Sequence, residues 1–217
     1  MPRVAVFDLD GTLADSAPAI ARALNQSRAA RGLPALAVER FRPWISHGAP
    51  ALVGAALELG VPADAQAVEA FRDVYRGCAG SPEDLYPGIG DAVARLHGAG
   101  VVMGVCTNKP QLLSEKVLSE TGLARYFTAV VGGDRTARPK PDPAHLRQTL
   151  VEMGCTADTP FSFIGDSLID AQAAAAAGAR FLLASWGYAD ADDLSTRGVR
   201  LDDAAALIDA VLGPAFG

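Results

Sequence analysis

Two carboxylates one residue apart, Asp8 and Asp10, end an apolar run that begins Val4-Ala5-Val6-Phe7, and Gly11-Thr12 follow directly. Strands disfavour Asp, and a buried carboxylate without a partner is costly, so this pair needs compensation. Side chains two apart on an extended chain share a face, which predicts Asp8 beside Asp10 with a cation between them. Oxygen donors of this kind suit a hard divalent ion, and Mg²⁺ fits best. An Asp-Gly hairpin turn is the competing account. It lacks a second β-patterned run after the glycine.

Three later segments carry further candidates. In Gly165-Asp166-Ser167-Leu168-Ile169-Asp170, Ser167 and Asp170 have the spacing of a capping box at a helix start. That leaves Asp166 unexplained, so it is expected as a further metal ligand, with Asp170 and Ser167 in an outer shell. Thr107-Asn108-Lys109-Pro110 reads as a helix cap, with Thr107 or Asn108 at the N-cap and Pro110 in the first turn. A capped helix start is also an anion site, so capping and phosphate binding need not compete. Lys140, between Pro139 and Pro141, is held by a stiff backbone ahead of a helix. The chain has only three lysines, Lys109, Lys116 and Lys140, and Lys140 is the best candidate to neutralise bound anionic groups.

The elements that would position these residues follow a βαβ rhythm. Val4 to Phe7, Val101 to Cys106, Phe161 to Ile164 and Arg180 to Ser185 read as buried parallel strands, with Ala129 to Val131 a weaker fifth. The expected fold is α/β, a doubly wound, Rossmann-like parallel sheet whose ligands bind beyond the carboxyl ends of the strands. Residues 16–86 break the rhythm with helical periodicity only: Leu52, Ala55, Ala56 and Leu59, then Val68, Phe71, Val74 and Tyr75. This predicts an inserted all-helical cap domain over residues 16–86, with the core made of residues 1–15 and 87–217.

A formal charge of -6 over 217 residues and a sequence pI near 5.0 argue against nucleic acid or an anionic membrane as partner. The expected partner is a small molecule. No secretory pattern opens the sequence, and the apolar stretch Ala171 to Tyr188 is interrupted by Gln172, Gly178 and Arg180. Cys78, Cys106 and Cys155 form no metal or redox motif, which suits reduced thiols and a cytoplasmic location. Asp190, Asp192 and Asp193 read as solvated surface, and Asp202-Asp203 as the start of the last helix. Both a monomer and a homodimer are compatible with the sequence.

In order, spacing and strand context, Asp8-Leu9-Asp10-Gly11-Thr12, Thr107-Asn108, Lys140 and Gly165-Asp166-Ser167 with Asp170 resemble the four motifs of the haloacid dehalogenase superfamily. The helical insert resembles that superfamily's first-position cap. Arg42 to Ala49, Val130-Val131-Gly132-Gly133-Asp134 and Lys140-Pro141-Asp142-Pro143 look most like bacterial phosphoglycolate phosphatases. The resemblance implies that Asp8 attacks phosphorus to give an aspartyl-phosphate and that Asp10 is the general acid and base. It also implies Mg²⁺ on Asp8, Asp166 and the Asp10 carbonyl, with Thr107, Asn108 and Lys140 on the phosphoryl group. The partner would be a small phosphorylated metabolite.

Within that resemblance, Asp10 argues against carbon-attacking dehalogenases, and the absence of lysine before Lys109 argues against phosphonate-cleaving relatives. Sugar phosphatases and sugar-phosphate mutases share the core residues and stay open, because the cap decides between them. Arg42 is the candidate for a substrate carboxylate, and His47 for a further substrate contact. A receiver-like signalling domain would also gather Asp, hydroxyl and Lys around Mg²⁺, but would be shorter and uncapped.

Overall fold

A computed structural model describes residues 3–78, 81–188, 194 and 196–213, so the expectation for Asp190, Asp192 and Asp193 lies outside the described residues. Alternating burial builds the sheet. Ala5 and Phe7 face one hydrophobic layer with Met103 and Val105, while Val4 and Val6 face another with Phe163 and Leu183. Six strands result: β1 (Val4–Phe7), β2 (Val102–Cys106), β3 (Ala129–Val131), β4 (Ser162–Gly165), β5 (Arg180–Ala184) and β6 (Val199–Leu201). They pair in parallel in the order β3-β2-β1-β4-β5-β6.

The order reverses beside β1, since the chain leaves β3 at one edge and re-enters the sheet as β4 on the other side of β1. Register places the strand ends level: Phe7 lies opposite both Val105 and Ile164. The residues that follow, Asp8, Cys106 and Gly165, therefore emerge together at the carboxyl edge, where open α/β sheets bind ligands. Covering helices include α5 (Ile89–Gly98), α6 (Gln111–Glu120), α7 (Pro143–Glu152), α8 (Leu168–Ala177) and α9 (Ala204–Leu212). Asp203 caps the last of these by accepting from the Ala206 amide.

Between β1 and α5 the chain forms α1 (Ala17–Ala29), α2 (Arg42–Ile45), α3 (Ala49–Ala56) and α4 (Ala65–Arg76). It contains no strand among its described residues. The outgoing and returning segments meet: Asp15 N donates to Asp84 O at 2.7 Å and Tyr86 N donates to Leu13 O at 3.2 Å. One insert thus hangs from a narrow two-stranded neck above the sheet's carboxyl edge. Its interior is knit by Arg28 on α1, which is fully buried and donates to the carbonyls of Pro34 and Ala56 and to Glu58.

Two expectations need correction. The strand ends at Phe7, and the chain turns through Leu9 to Gly11, so simple alternation does not continue to Asp10. Helix α6 begins at Gln111 with Pro110 before it; the cap comes from Asp134, which accepts from Gln111 N at 2.7 Å. Thr107 instead forms a local turn, its Oγ1 accepting from Lys109 N at 3.2 Å.

Candidate active site

Asp8, Asp166 and Asp170 each offer a carboxylate oxygen within 4.8 Å of the other two, and all three side chains are buried. The tight approach of backbone to these carboxylates requires glycine. A Cβ on Gly11 would lie 2.2 Å from Asp166 Oδ2, and one on Gly187 would meet the Asp166 Cβ at 2.2 Å. Gly11 also has φ +84°, which only glycine adopts without strain.

Each acid is held differently. Asp8 Oδ1 accepts from Leu9 N at 2.7 Å and pairs with Lys140 Nζ at 3.0 Å, and neither contact engages Oδ2. Asp170 Oδ1 binds Lys140 Nζ at 2.7 Å, while Oδ2 accepts from the Ser167 hydroxyl at 2.6 Å and amide at 3.1 Å. Ser167 and Asp170 form the expected capping box of α8. Asp166 Oδ2 accepts from Tyr188 N at 2.7 Å, but Asp166 Oδ1 is buried with no hydrogen-bond partner.

Three acids share one lysine. Burial, partly offset by Lys140, pushes the Asp8 carboxyl up to about 7, and burial with the charges of Asp170 and Asp8 raises Asp166 well above the carboxylate range. Burial opposes the Lys140 charge, but Asp170 and Asp8 outweigh it and hold the ammonium protonated. An orphaned, buried carboxylate oxygen within a set of hard donors fits a divalent cation, so the residues present fit Mg²⁺.

The pH dependence follows from this direction. A carboxylic acid whose folded pKa lies above its unfolded value holds its proton more tightly when folded, so metal-free stability falls as pH rises from about 4 toward 7. A divalent cation bound by these carboxylates would compete with those protons. Added at a hundredfold excess over its Kd, Mg²⁺ should raise Tm by roughly 5–10 °C at pH 7.5. The shift should shrink at pH 5, and a thermal scan with equal shifts at both values would contradict the assignment.

Asp10 sits apart from this cluster. Its two oxygens accept from Lys109 Nζ at 3.0 and 3.1 Å, and Lys109 also donates to the Tyr75 hydroxyl of α4 at 2.8 Å. The expected side-by-side pair therefore becomes two ion pairs, Asp8 with Lys140 and Asp10 with Lys109. The turn after Phe7 separates the carboxylates, and the Asp10 side chain, expected beside Asp8 on the cation, is held by Lys109 outside the three-acid cluster. Lys109 was not singled out by sequence, although its rarity among cations was the available signal.

Thr107, Asn108, Ser167 and Lys140 line the same small pocket as Asp8 and Asp10. Asn108 Nδ2 donates to Lys140 O at 3.0 Å and to Ser46 O at 3.4 Å, tying core to insert. Arg42 is engaged elsewhere: Nη2 donates to Asp15 Oδ2 at 3.0 Å and the guanidinium lies 5.1 Å from the Tyr188 ring centroid. His47 is exposed, its ring 5.8 Å from that of Trp44. Neither residue lines the acid pocket or the adjoining cavity under the insert.

His145 on α7 is a further positioning residue. Its Nδ1 accepts from Lys140 N at 3.3 Å, so the proton is on Nε2, which donates to Val131 O at 3.0 Å. Burial and then Lys140 hold its pKa down at about 4, so the ring stays neutral. Cys106 is no rival nucleophile, since burial pushes its thiol up to about 12.

The family model for haloacid dehalogenase-like hydrolases matches residues 2–178. The chain belongs to that family. Among curated relatives, this hydrolase is 37% identical over 195 residues to a phosphoglycolate phosphatase of Pseudomonas fluorescens Pf0-1, covering 87% of this chain and 71% of the relative. It is 36% identical over 228 residues to another from Pseudomonas putida KT2440, covering 100% of this chain and 82% of the relative. A predicted phosphoglycolate phosphatase from Haemophilus somnus 129pt superposes with a TM-score of 0.82 at 25% identity, covering 96% of this chain and 97% of that one. A Clostridium difficile β-phosphoglucomutase shares the fold at TM-score 0.78 and 16% identity, covering 95% of this chain and 93% of that one. The hydrolase is thus phosphoglycolate phosphatase-like in sequence, and none of its described helices is long and apolar enough to cross a membrane.

Proposed function

We propose that this hydrolase is a Mg²⁺-dependent phosphomonoesterase that acts on 2-phosphoglycolate through an aspartyl-phosphate on Asp8. The observation that carries the reading is the division of labour among its acids: Asp8, Asp166 and Asp170 cluster around Lys140, while Asp10 has its own lysine at the edge of the same pocket. The family membership and the names of its relatives support the same chemistry.

In this reading Asp8 attacks phosphorus in line, forming a P–O bond as the ester P–O bond breaks, and Asp10 gives its proton to the leaving alkoxide. Asp10 then takes a proton from water as that water attacks the phosphorus of the aspartyl-phosphate, which releases inorganic phosphate and restores Asp8. Lys140, fixed by Asp170 and His145, stays beside the nucleophile and offsets phosphoryl charge; Thr107 and Asn108 complete the pocket wall. Asp8, Asp166 and the Asp10 carbonyl would hold Mg²⁺, which when bound supplies neutralisation of charge on the phosphoryl oxygens.

Residues 16–86 act as the cap. The pocket around Asp8 has room for about 10 Å³, and the adjoining cavity beneath the insert for about 40 Å³, which is on the order of one and three waters. A phosphoryl group cannot enter without movement, so the insert opens on its neck for binding and closes to exclude water. The three thiols of Cys78, Cys106 and Cys155 are unpaired, which suits a reducing cytoplasm.

The test is a panel of small phosphomonoesters ranked by kcat/KM in Mg²⁺. Phosphoglycolate should lead. A sugar phosphate that exceeds it by about a hundredfold, some 2.7 kcal/mol of differential transition-state binding, would overturn the substrate choice.

A further inference from the structure

The cavity beside Asp10 has a composition that the reaction at phosphorus does not explain. Its walls are largely apolar, with Ile20 and Ile45 from the insert and Leu113 from the core. Into it project two cationic residues, Arg72 of α4 and Lys109 of the core, against one acid, Asp10. Local charge is therefore positive although the chain as a whole is acidic.

One donor there is uncommitted among the described residues. Arg72 Nε is buried without a hydrogen-bond partner, and the group's one acidic contact is a long one, Nη1 to Glu69 Oε2 at 3.4 Å on the outer face. The Tyr75 hydroxyl accepts from Lys109 at 2.8 Å, also interacts with the Ser16 side chain, and lines the same cavity. Its ring is fixed by stacking on Phe71, centroids 5.7 Å apart. A buried guanidinium edge without an acceptor is unfavourable, and an incoming carboxylate would satisfy it.

We infer that Arg72 and Tyr75 of α4, backed by the charge of Lys109, form a subsite for a carboxylate on the leaving group. This rests on the phosphomonoester reading above and deepens it, because it names what distinguishes the preferred ester. The cavity adjoins the residue that protonates the leaving oxygen, so it receives the leaving group and not the phosphoryl end. Apart from Asp10, Arg72, Tyr75, Asn108 and Lys109 its walls are apolar, which matches a short carbon chain ending in an anion. The carboxylate role assigned by sequence to Arg42 passes to Arg72, since Arg42 is already held by Asp15.

The experiment compares 2-phosphoglycolate with ethyl phosphate, which differs by replacing the carboxylate with a methyl group. The wild-type protein in Mg²⁺ should favour phosphoglycolate in kcat/KM by about 10²-fold or more. Arg72→Gln should reduce that ratio at least roughly tenfold, chiefly through KM for phosphoglycolate, and Tyr75→Phe should reduce it in the same sense by a smaller factor. Arg72→Lys should recover part of the ratio by keeping the charge without the planar fork. A wild-type preference that survives Arg72→Gln unchanged would overturn the subsite while leaving the phosphoglycolate reading intact. A wild-type ratio near one would overturn both.

Discussion

Asp8→Asn should lose turnover of every phosphomonoester by about 10⁴-fold or more, because on the proposed mechanism it removes the atom that would bond to phosphorus, with no neighbour to replace it. Asp166 is turned by Tyr188 N, and Asp170 is spent on Lys140 and Ser167. The loss should not come from unfolding. In metal-free buffer at pH 7.5 the variant should melt at or above the wild-type temperature, since one of three mutually repelling buried carboxylates becomes neutral while Lys140 keeps Asp170. Rapid quench should trap a phosphoryl adduct on the wild-type protein and none on the variant. Retained turnover above about 1% would remove Asp8 from its role, and loss of activity with a lower Tm would point to structural damage instead.

That prediction draws on residues that the sequence singled out and that the fold brings into one buried cluster, and the reason is physical. Asp8, Asp166 and Lys140 each stand where a strand ends or a stiff turn begins, with no structural need for a charged side chain, so their chemistry stands out against the background. The first five strands were legible because each is a short, mainly apolar run, four of them largely buried and Ala129–Val131 half-buried at the sheet edge. Val199–Leu201 was not, since the charged Arg200 interrupts its apolar pattern and both Val199 and Arg200 are exposed.

Contacts that cross between insert and core were the least legible, because they join residues far apart in the chain whose individual types are unremarkable. Lys109 meets Tyr75 across 34 positions, and Asn108 reaches Ser46 across 62. The same reason misdirected the reading of Arg42. An arginine in the insert is a sound candidate for a substrate carboxylate, but Asp15 at the neck and the Tyr188 ring claim it, and no local pattern announces either partner. The neck is thereby linked to the acid cluster, for Tyr188 OH donates to Asp15 Oδ1 at 3.1 Å while Tyr188 N donates to Asp166. One residue thus joins the two, Tyr188 holding Asp15 at the neck with its side chain and Asp166 in the cluster with its main chain.

Asp10→Asn should separate the two halves of the reaction. As general acid, Asp10 matters most when the leaving group is a poor one, so the variant should lose about 10²–10⁴-fold in kcat on an alkyl phosphate. An aryl phosphate, whose phenolate leaves without a proton, should still phosphorylate Asp8. On the proposed mechanism hydrolysis of that adduct would also need Asp10, now as base, so the aryl substrate should give a burst of phenol near one equivalent followed by slow turnover. The substitution has a structural cost as well: Lys109, only 4% exposed at its side chain, would lose its one carboxylate and keep Tyr75. Breaking a buried pair in this way costs about 3–5 kcal/mol, so a lower Tm should accompany the burst. Equal losses on alkyl and aryl esters with no burst would remove Asp10 from proton transfer and leave it as the counter-ion of Lys109. Unchanged kcat on the alkyl ester would remove it from the mechanism altogether.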